Sequence, residues 1–552
     1  MVRPTISILL SLALCLPVTL GAAANTTTTS STATSKLTSS VVAATTSTTT
    51  TKIVATTTTD KPTTTAVPTN SAAPNTTILD GPRTTNLLAD IPGLYPLPDP
   101  GEVIKNATLN TTDIQGDILV GMKKKLEMFY FFQINNVTSF KAKVHHIIVP
   151  EITSVFQLLD TTTQPIVCLN LAFSQTGLQT LGFNTNLGDP VFGAGQAADA
   201  VNLGDPGTTN WVKTFTNTKA LHGVFLMATD DQAFLDVQIQ QLEYVFGTDI
   251  THLYSLEGNI RPPPYEGHEM FGYLDGIGQP AVAGFNLSPF PGQLTVSPGV
   301  ILAGEPGDIR ISTRPSWAKD GSFLAFRQLK QLVPEFDNFL LQVAPPISGM
   351  TTQESADLVG ARMIGRWKSG APTDLNPTAD NPSQGIDPNQ NNDFDYSHAG
   401  FNLATDESYC PFAAHIRKTR PRADLNAPDN TIMRAGIPYG PEVTDAETQS
   451  GTSNSTLERG LAFVAYQSSL EDGFQFMQKV WANDPTFAPS HTPQPGWDPI
   501  IGQAGTSARF MNGYNIQDTT QNLVLKQEYV ISRGGEYFFS PSISAIHDVL
   551  SV

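Results

Sequence analysis

The sequence predicts an α+β protein made of duplicated ferredoxin-like (split βαβ) halves, with antiparallel sheets and peripheral helices. Two observations lead there. Strand-like segments and segments of helical spacing follow one another as strand-helix-strand-strand-helix-strand, and a second set of such elements occupies the C-terminal part. Beyond the N-terminal leader only Cys168 and Cys410 remain, so at most one disulfide is possible and a core must hold the chain. Cys168, inside Ile166-Val167-Cys168-Leu169, reads as a small buried hydrophobe, with Cys410 also unpaired.

In the first set, 127–134 (Glu-Met-Phe-Tyr-Phe-Phe-Gln-Ile) is aromatic-rich and strand-like, and 139–159 has helical spacing broken near Pro150. Segments 165–173 and 221–228 read as the second and third strands. A helix follows, capped by Asp230 or Asp231, with Leu235, Ile239, Leu242 and Phe246 on one face and Gly247 as terminator. Segment 250–256 closes the set. In the second, 322–329 is a strand, 334–341 and 353–364 are helical, and 460–467 is a strand. Ser468 and Glu471 form a capping box for a helix carrying Phe474, Met477 and Trp481. Segments 528–532 and 536–539 complete the set around Gly534-Gly535, a bulge or a hairpin. The Pro/Asn/Gly/Asp-rich stretch 370–427 is an insertion with little regular structure; loops that long are functional or disordered. The halves are drawn at 110–330 and 331–552, with their sheets expected to pack together.

Residues 1–24 have a basic Arg3, an apolar run and small residues before Asn25, the pattern of a secretory signal peptide. No later segment offers roughly 18 uninterrupted apolar residues, so no transmembrane span is expected. The Thr/Ser/Ala tract from Asn25 and the proline-rich stretch behind it form a stalk or pro-region over 25–109, largely disordered because it cannot bury enough surface to offset the entropy of ordering. Such a hydroxyl-rich tract suits O-glycosylation and a cell-wall or glycan association. Glycosylation sequons stand at Asn25, Asn75, Asn106, Asn110, Asn136, Asn286 and Asn454, with Pro289 following the serine of the Asn286 sequon. A formal charge of -18 excludes the basic footprint of a nucleic-acid partner. A secreted, extracellular protein is expected.

Three segments can carry chemistry together. Gly272-Tyr273-Leu274-Asp275-Gly276 holds a carboxylate in a glycine-flanked turn, His415 lies among small apolar residues followed by basic ones, and Arg434 supplies a guanidinium. Alone, Asp275 reads as a turn residue, His415 as a core or surface histidine and Arg434 as a surface arginine. Together they supply the groups needed to hold a haem iron and cleave peroxide.

These segments, with Asp113-Ile114-Gln115-Gly116-Asp117-Ile118-Leu119, Gly365-Arg366-Trp367-Lys368-Ser369-Gly370, Arg459-Gly460-Leu461-Ala462-Phe463-Val464, Asp498-Pro499-Ile500-Ile501-Gly502-Gln503 and Arg533-Gly534-Gly535-Glu536-Tyr537, closely resemble the dye-decolorizing peroxidases of the secreted fungal type. The resemblance covers nearly all of 110–552. It implies one haem b per chain, with His415 as iron ligand and Asp498 accepting its second ring N–H. It also implies Asp275 as distal acid-base, Arg434 as its cationic partner and Leu461 and Phe463 as apolar lining. His268 is implied near the haem edge and Arg422 at a propionate; Arg420 departs from the asparagine of fungal relatives. The function so implied is a secreted haem peroxidase that reduces hydrogen peroxide and oxidises aromatic donors such as dyes and phenols. The alternative is a haem-binding or haem-transfer protein of the same fold with weak turnover. An Asp base predicts activity in acid, since an unperturbed aspartate titrates near ~3.9 and a histidine near ~6.5.

Overall fold

Nine strands joined in one antiparallel sheet carry the fold. The computed structural model describes residues 94–160, 163–505 and 507–552, all within the compact unit 73–552. The expected signal peptide and the Thr-rich tract up to residue 93 lie outside the described residues. The strands are Leu126–Ile134 (β1), Val167–Ser174 (β2), Gly223–Thr229 (β3), Ile250–Asn259 (β4), Ser322–Gln331 (β5), Met433–Arg434 (β6), Ile437–Tyr439 (β7), Gly460–Gln467 (β8) and Val530–Ser540 (β9). Their order is β5-β9-β2-β3-β1-β4-β7-β8-β6, and β5 also pairs with β8.

That order contains the same unit twice. β4-β1-β3-β2 places the strands of the first set as fourth, first, third and second, the ferredoxin-like order. β9-β5-β8 followed by the broken strand β6/β7 repeats it, so Ser322–Gln331 is the first strand of the second set. The α+β duplication expected from the sequence is therefore present. Its sheets, however, join edge to edge. Gly258 of β4 pairs with Tyr439 of β7, and Phe538 and Phe539 of β9 pair with Ser174 and Phe173 of β2. With β5 bonded to β8 along its length, the ring closes. An open half would leave two edges of unpaired N–H and C=O groups; mutual pairing removes both.

Alternation along the strands sorts side chains onto two layers. Phe129 and Phe131 of β1 join Leu324, Phe326, Ala462, Val464, Tyr466 and Phe538 in one core. Met128, Tyr130 and Phe132 belong to another, under α1 (Gln232–Phe246). Asp231 caps α1 by accepting from the Ala233 N–H, Gly247 ends it, and Leu235, Leu242 and Phe246 are its buried stripe. Two further helices, α2 (Val333–Val343) and α3 (Thr352–Ile364), pack beside the second set. Cys168 and Cys410 are both buried and free.

Several local expectations change. Ser468 and Glu471 make no capping box: Glu471 accepts from Arg310 Nη2 at 2.5 Å, Ser469 Oγ accepts from the Asp472 N–H, and the helix starts at Phe474. Gly534-Gly535 is a bulge inside one continuous strand, β9, rather than a hairpin turn. Residues 94–109, assigned from sequence to the disordered region, lie against the body: Val103 is 1% exposed and Leu97 packs on the first core. Among the described residues no helix is long and apolar enough to cross a membrane.

Phe131 meets Phe215, Phe326 and Phe538 at centroid distances of 5.2, 5.0 and 6.0 Å, bridging strands of both sets. Phe131→Ala should lower unfolding stability by ~3–5 kcal/mol, read from the denaturant midpoint at an unchanged m-value. A loss below ~1 kcal/mol would contradict this account of the core.

Candidate active site

Asp275 is held from its backbone outward. Its N–H donates to Gly267 O at 2.9 Å, the preceding Leu274 N–H donates to Lys368 O, and His268 bridges Leu274. Gly276 follows at φ +86°, a left-handed conformation that costs glycine nothing, and its N–H donates to Asp275 Oδ1 at 2.6 Å.

Arg434 reaches that carboxylate from β6. The strand on this side of β8 breaks at Ala435-Gly436, so β6 and β7 pair with β8 separately, Arg434 opposite Ala465 and Ile437 opposite Ala462. Gln279, four residues after Asp275, clamps the backbone of Arg434: its Oε1 accepts from the Arg434 N–H at 3.1 Å and its Nε2 donates to Arg434 O. Arg434 Nη1 then donates to Asp275 Oδ1 at 2.6 Å. The side chains are 30% and 33% exposed, and that exposure faces internal cavities. Burial alone would raise the Asp275 pKa; the charge and hydrogen bond of Arg434, aided by the Gly276 N–H, outweigh it and hold the group below the usual aspartate range.

His415 opens the short helix α4 (His415–Thr419). Its Nδ1 sits 2.8 Å from Asp498 Oδ2, while Asp498, fully buried, accepts from the Ile500 and Ile501 N–H groups at its other oxygen. Burial opposes charge on both residues, and their mutual attraction overcomes it, lowering the Asp498 pKa and raising that of His415. An ionised Asp498 accepts only, so Nδ1 carries the hydrogen, and in the neutral ring the lone pair is on Nε2. That is the state of a histidine prepared for a metal.

Asp275, Arg434 and His415 line one cavity of about 290 Å³. One wall is apolar: Ala462 and Val464 turn into the core, which places Leu461 and Phe463 on the opposite face, into the cavity. Another wall is cationic. Arg366, Arg420 and Arg422 line it, and among the described residues none of the three is in an ion pair. Arg366 bonds to Gly370 O, Asn391 O and Asn392 Oδ1; Arg422 bonds to Gly292 O, Asn392 O and Phe394 O and lies 3.9 Å from the Phe394 ring. The Arg420 side chain donates to Thr431 Oγ1 at 3.3 Å, and its pKa is brought down to about 10 by burial and by Arg422. Arg422 Nε is buried without a partner. A flat, largely apolar ligand with carboxylate arms and a metal that takes an imidazole fits this donor set: one free imidazole nitrogen, an apolar wall and guanidiniums lacking anions.

The structure thus brings Asp275, Arg434, His415, Arg422, Leu461 and Phe463 around one space, with Asp498 directly behind His415. His268 is set apart. Its Nδ1 lies 3.0 Å from Glu266 O, and it lines a smaller cavity of about 140 Å³ that shares Asp275, Arg434 and Leu461 with the larger one. Sequence reasoning missed the clamp made by Gln279, which stands just beyond the Gly272–Gly276 segment. It also missed Glu269, which lines both cavities and accepts from the Phe271 and Tyr273 N–H groups.

Two family models match: the DyP dimeric alpha+beta barrel domain over 113–262, and the C-terminal part of Dyp-type peroxidase over 304–487. The chain is 53% identical to dye-decolorizing peroxidase AauDyP1 of Auricularia auricula-judae over 489 residues, 87% of this chain and 94% of that one. It is 52% identical to a dye-decolorizing peroxidase of Exidia glandulosa over 474 residues, 86% and 93% of the two chains. A crystal structure of a fungal DyP-type peroxidase from Auricularia auricula-judae superposes with a TM-score of 0.78 at 54% identity, covering 81% of this chain and all of that one. With its barrel order, its site and these relatives in agreement, the chain belongs to the dye-decolorizing peroxidase family and is a peroxidase.

Proposed function

We propose that this peroxidase is secreted, holds one haem b per chain, and reduces hydrogen peroxide with electrons taken singly from aromatic donors such as dyes and phenols. The observation that carries the reading is that Asp275, Arg434 and His415 line one cavity and bias each other's charge, with Asp498 bonded to His415 from behind. When bound, the haem supplies the redox-active iron. His415 Nε2 is the nitrogen free to hold it, Asp498 fixes the ring and raises its basicity, and Arg422, with Arg366 and Arg420, answers the propionates. Leu461 and Phe463 keep the cavity narrow and dry, so bulky donors are oxidised from outside it.

Asp275 performs the proton work. Its carboxylate takes the proton from one oxygen of hydrogen peroxide and returns it to the other, which leaves as water. Arg434, already in contact with Asp275, opposes the negative charge that builds as the O–O bond separates. His268, beside Asp275 in the smaller cavity, lies near the haem edge in this reading. Secretion is supported by the leader at 1–24 and by sequons at Asn106, Asn110, Asn136 and Asn454, all exposed. The two ferredoxin-like halves, with β5 opening the second, then form the catalytic body, and 25–93 a stalk or pro-region able to associate with wall or glycan.

Asp275→Asn should slow the reaction with hydrogen peroxide by ~10²–10⁴ in stopped-flow measurements of the Soret band. Undiminished rates would point instead to a different base. Arg434→Leu should cost ~10²–10³ and also move the acid limb of the pH-rate profile upward. The sign follows from the pKa: the wild-type carboxylate is held below its ordinary value and stays charged in acid, whereas without Arg434 burial dominates and the group protonates at higher pH. An acid limb that stays in place would refute the coupling. Asp498→Asn should weaken haem retention or activity by roughly 10–100-fold; hemin competition with apomyoglobin measures the former.

A further inference from the structure

Residues 94–109 precede both matched regions, yet they reach the active-site cavities. Asp99 caps the helix Pro100–Asn106 by accepting from the Glu102 N–H at 2.9 Å, Val103 is buried, and the Thr108 N–H donates to Gly284 O at 3.1 Å. This fixes the helix against the loop that follows Asp275 and directs the preceding residues back over it. Tyr95 stacks on Phe290 of that loop, centroids 5.2 Å apart at 21°, and lines the large cavity with Arg366, Asn392 and Arg422. Its hydroxyl is buried beside Asn392. Burial raises its pKa to about 12 against the pull of Arg366 and Arg422. Leu94 takes the adjoining place in the smaller cavity, its Cδ2 3.1 Å from where a Cβ on Gly276 would stand. Two consecutive side chains therefore sit on either side of the Asp275 turn, one in each cavity.

The local sequence suits such a part. Leu94-Tyr95-Pro96-Leu97-Pro98-Asp99-Pro100 alternates prolines, which stiffen an extended strap and lower the entropy lost in seating it. The seat is held chiefly by apolar contact, Tyr95 on Phe290 and Leu94 beside Gly276, so it can be vacated.

We propose that residues 94–98 are a built-in plug of the active site: Tyr95 fills the guanidinium-lined corner of the large cavity and Leu94 the passage beside Asp275, so the chain admits cofactor and peroxide slowly until this segment leaves or is cut away. The position of the plug stands on its own contacts; its consequence for cofactor entry rests on the haem reading.

The test has two parts, both on the full chain. In the haem-free protein, tetranitromethane should nitrate Tyr244, 88% exposed, and leave Tyr95 unmodified, as read by peptide mass. Nitration of Tyr95 as readily as Tyr244 would overturn the proposal. Hemin uptake, followed as growth of the Soret band, should then be about tenfold faster in Leu94→Ala/Tyr95→Ala than in the unaltered chain, the factor expected of a plug seated about nine-tenths of the time. Equal uptake rates would likewise overturn it. A protected Tyr95 with no Soret band in either protein would support the plug's seat and overturn the haem reading.

Discussion

The closure of the sheet is the constraint from which the site follows. Each ferredoxin-like unit ends in two edges, and pairing β4 with β7 and β9 with β2 leaves no long edge open. The closing strand is not continuous. It breaks at Ala435-Gly436, and the break lets Arg434 emerge beside β8 where the loop bearing Asp275 comes down. A carboxylate from the first set and a guanidinium from the second, 159 residues apart, meet because the ring closes there. Gln279 ties the two backbones together, so the ion pair is set by main-chain geometry and does not depend on long side chains finding each other.

Electrostatics gives the two carboxylates different work. Asp498 is fully buried and spends its lone pairs on His415 and on two backbone N–H groups, which makes it a fixed support for the ring. Asp275 opens to the cavities, and its Oδ1 is engaged by Arg434 and Gly276. Both are kept ionised against burial, Asp498 by an imidazole and Asp275 by a guanidinium. One therefore orients, while the other can exchange a proton. The three arginines on the cationic wall, which lack carboxylate partners among the described residues, complete the asymmetry: positive charge is concentrated where anionic arms are expected.

The long elements were legible because their patterns are long. The aromatic alternation of β1, the stripe Leu235-Leu242-Phe246 of α1 and the run of β8 are each supported by many residues. The strands β6 and β7 have two and three residues and leave no periodicity, so the element that carries Arg434 was invisible although the residue itself was singled out. Ser468 and Glu471 matched a capping box by spacing, but Arg310, more than 150 positions away, competes for the carboxylate. Residues 94–109 read as linker because their prolines and scattered apolar residues show no repeat; only the tertiary surface reveals that Leu97 and Val103 have somewhere to go. Asp498, Leu461, Phe463 and His268 could not be reached from spacing at all and entered through resemblance to a family.

The measurement that bears most directly on this account is the ultraviolet-visible spectrum of the chain titrated with hemin and then given one equivalent of hydrogen peroxide. The account requires a ferric Soret band that saturates at one hemin per chain and shifts rapidly on addition of peroxide. A saturating band that peroxide leaves unmoved would mark a haem carrier, and the absence of any Soret band would contradict the assignment of His415 and its cavity to haem.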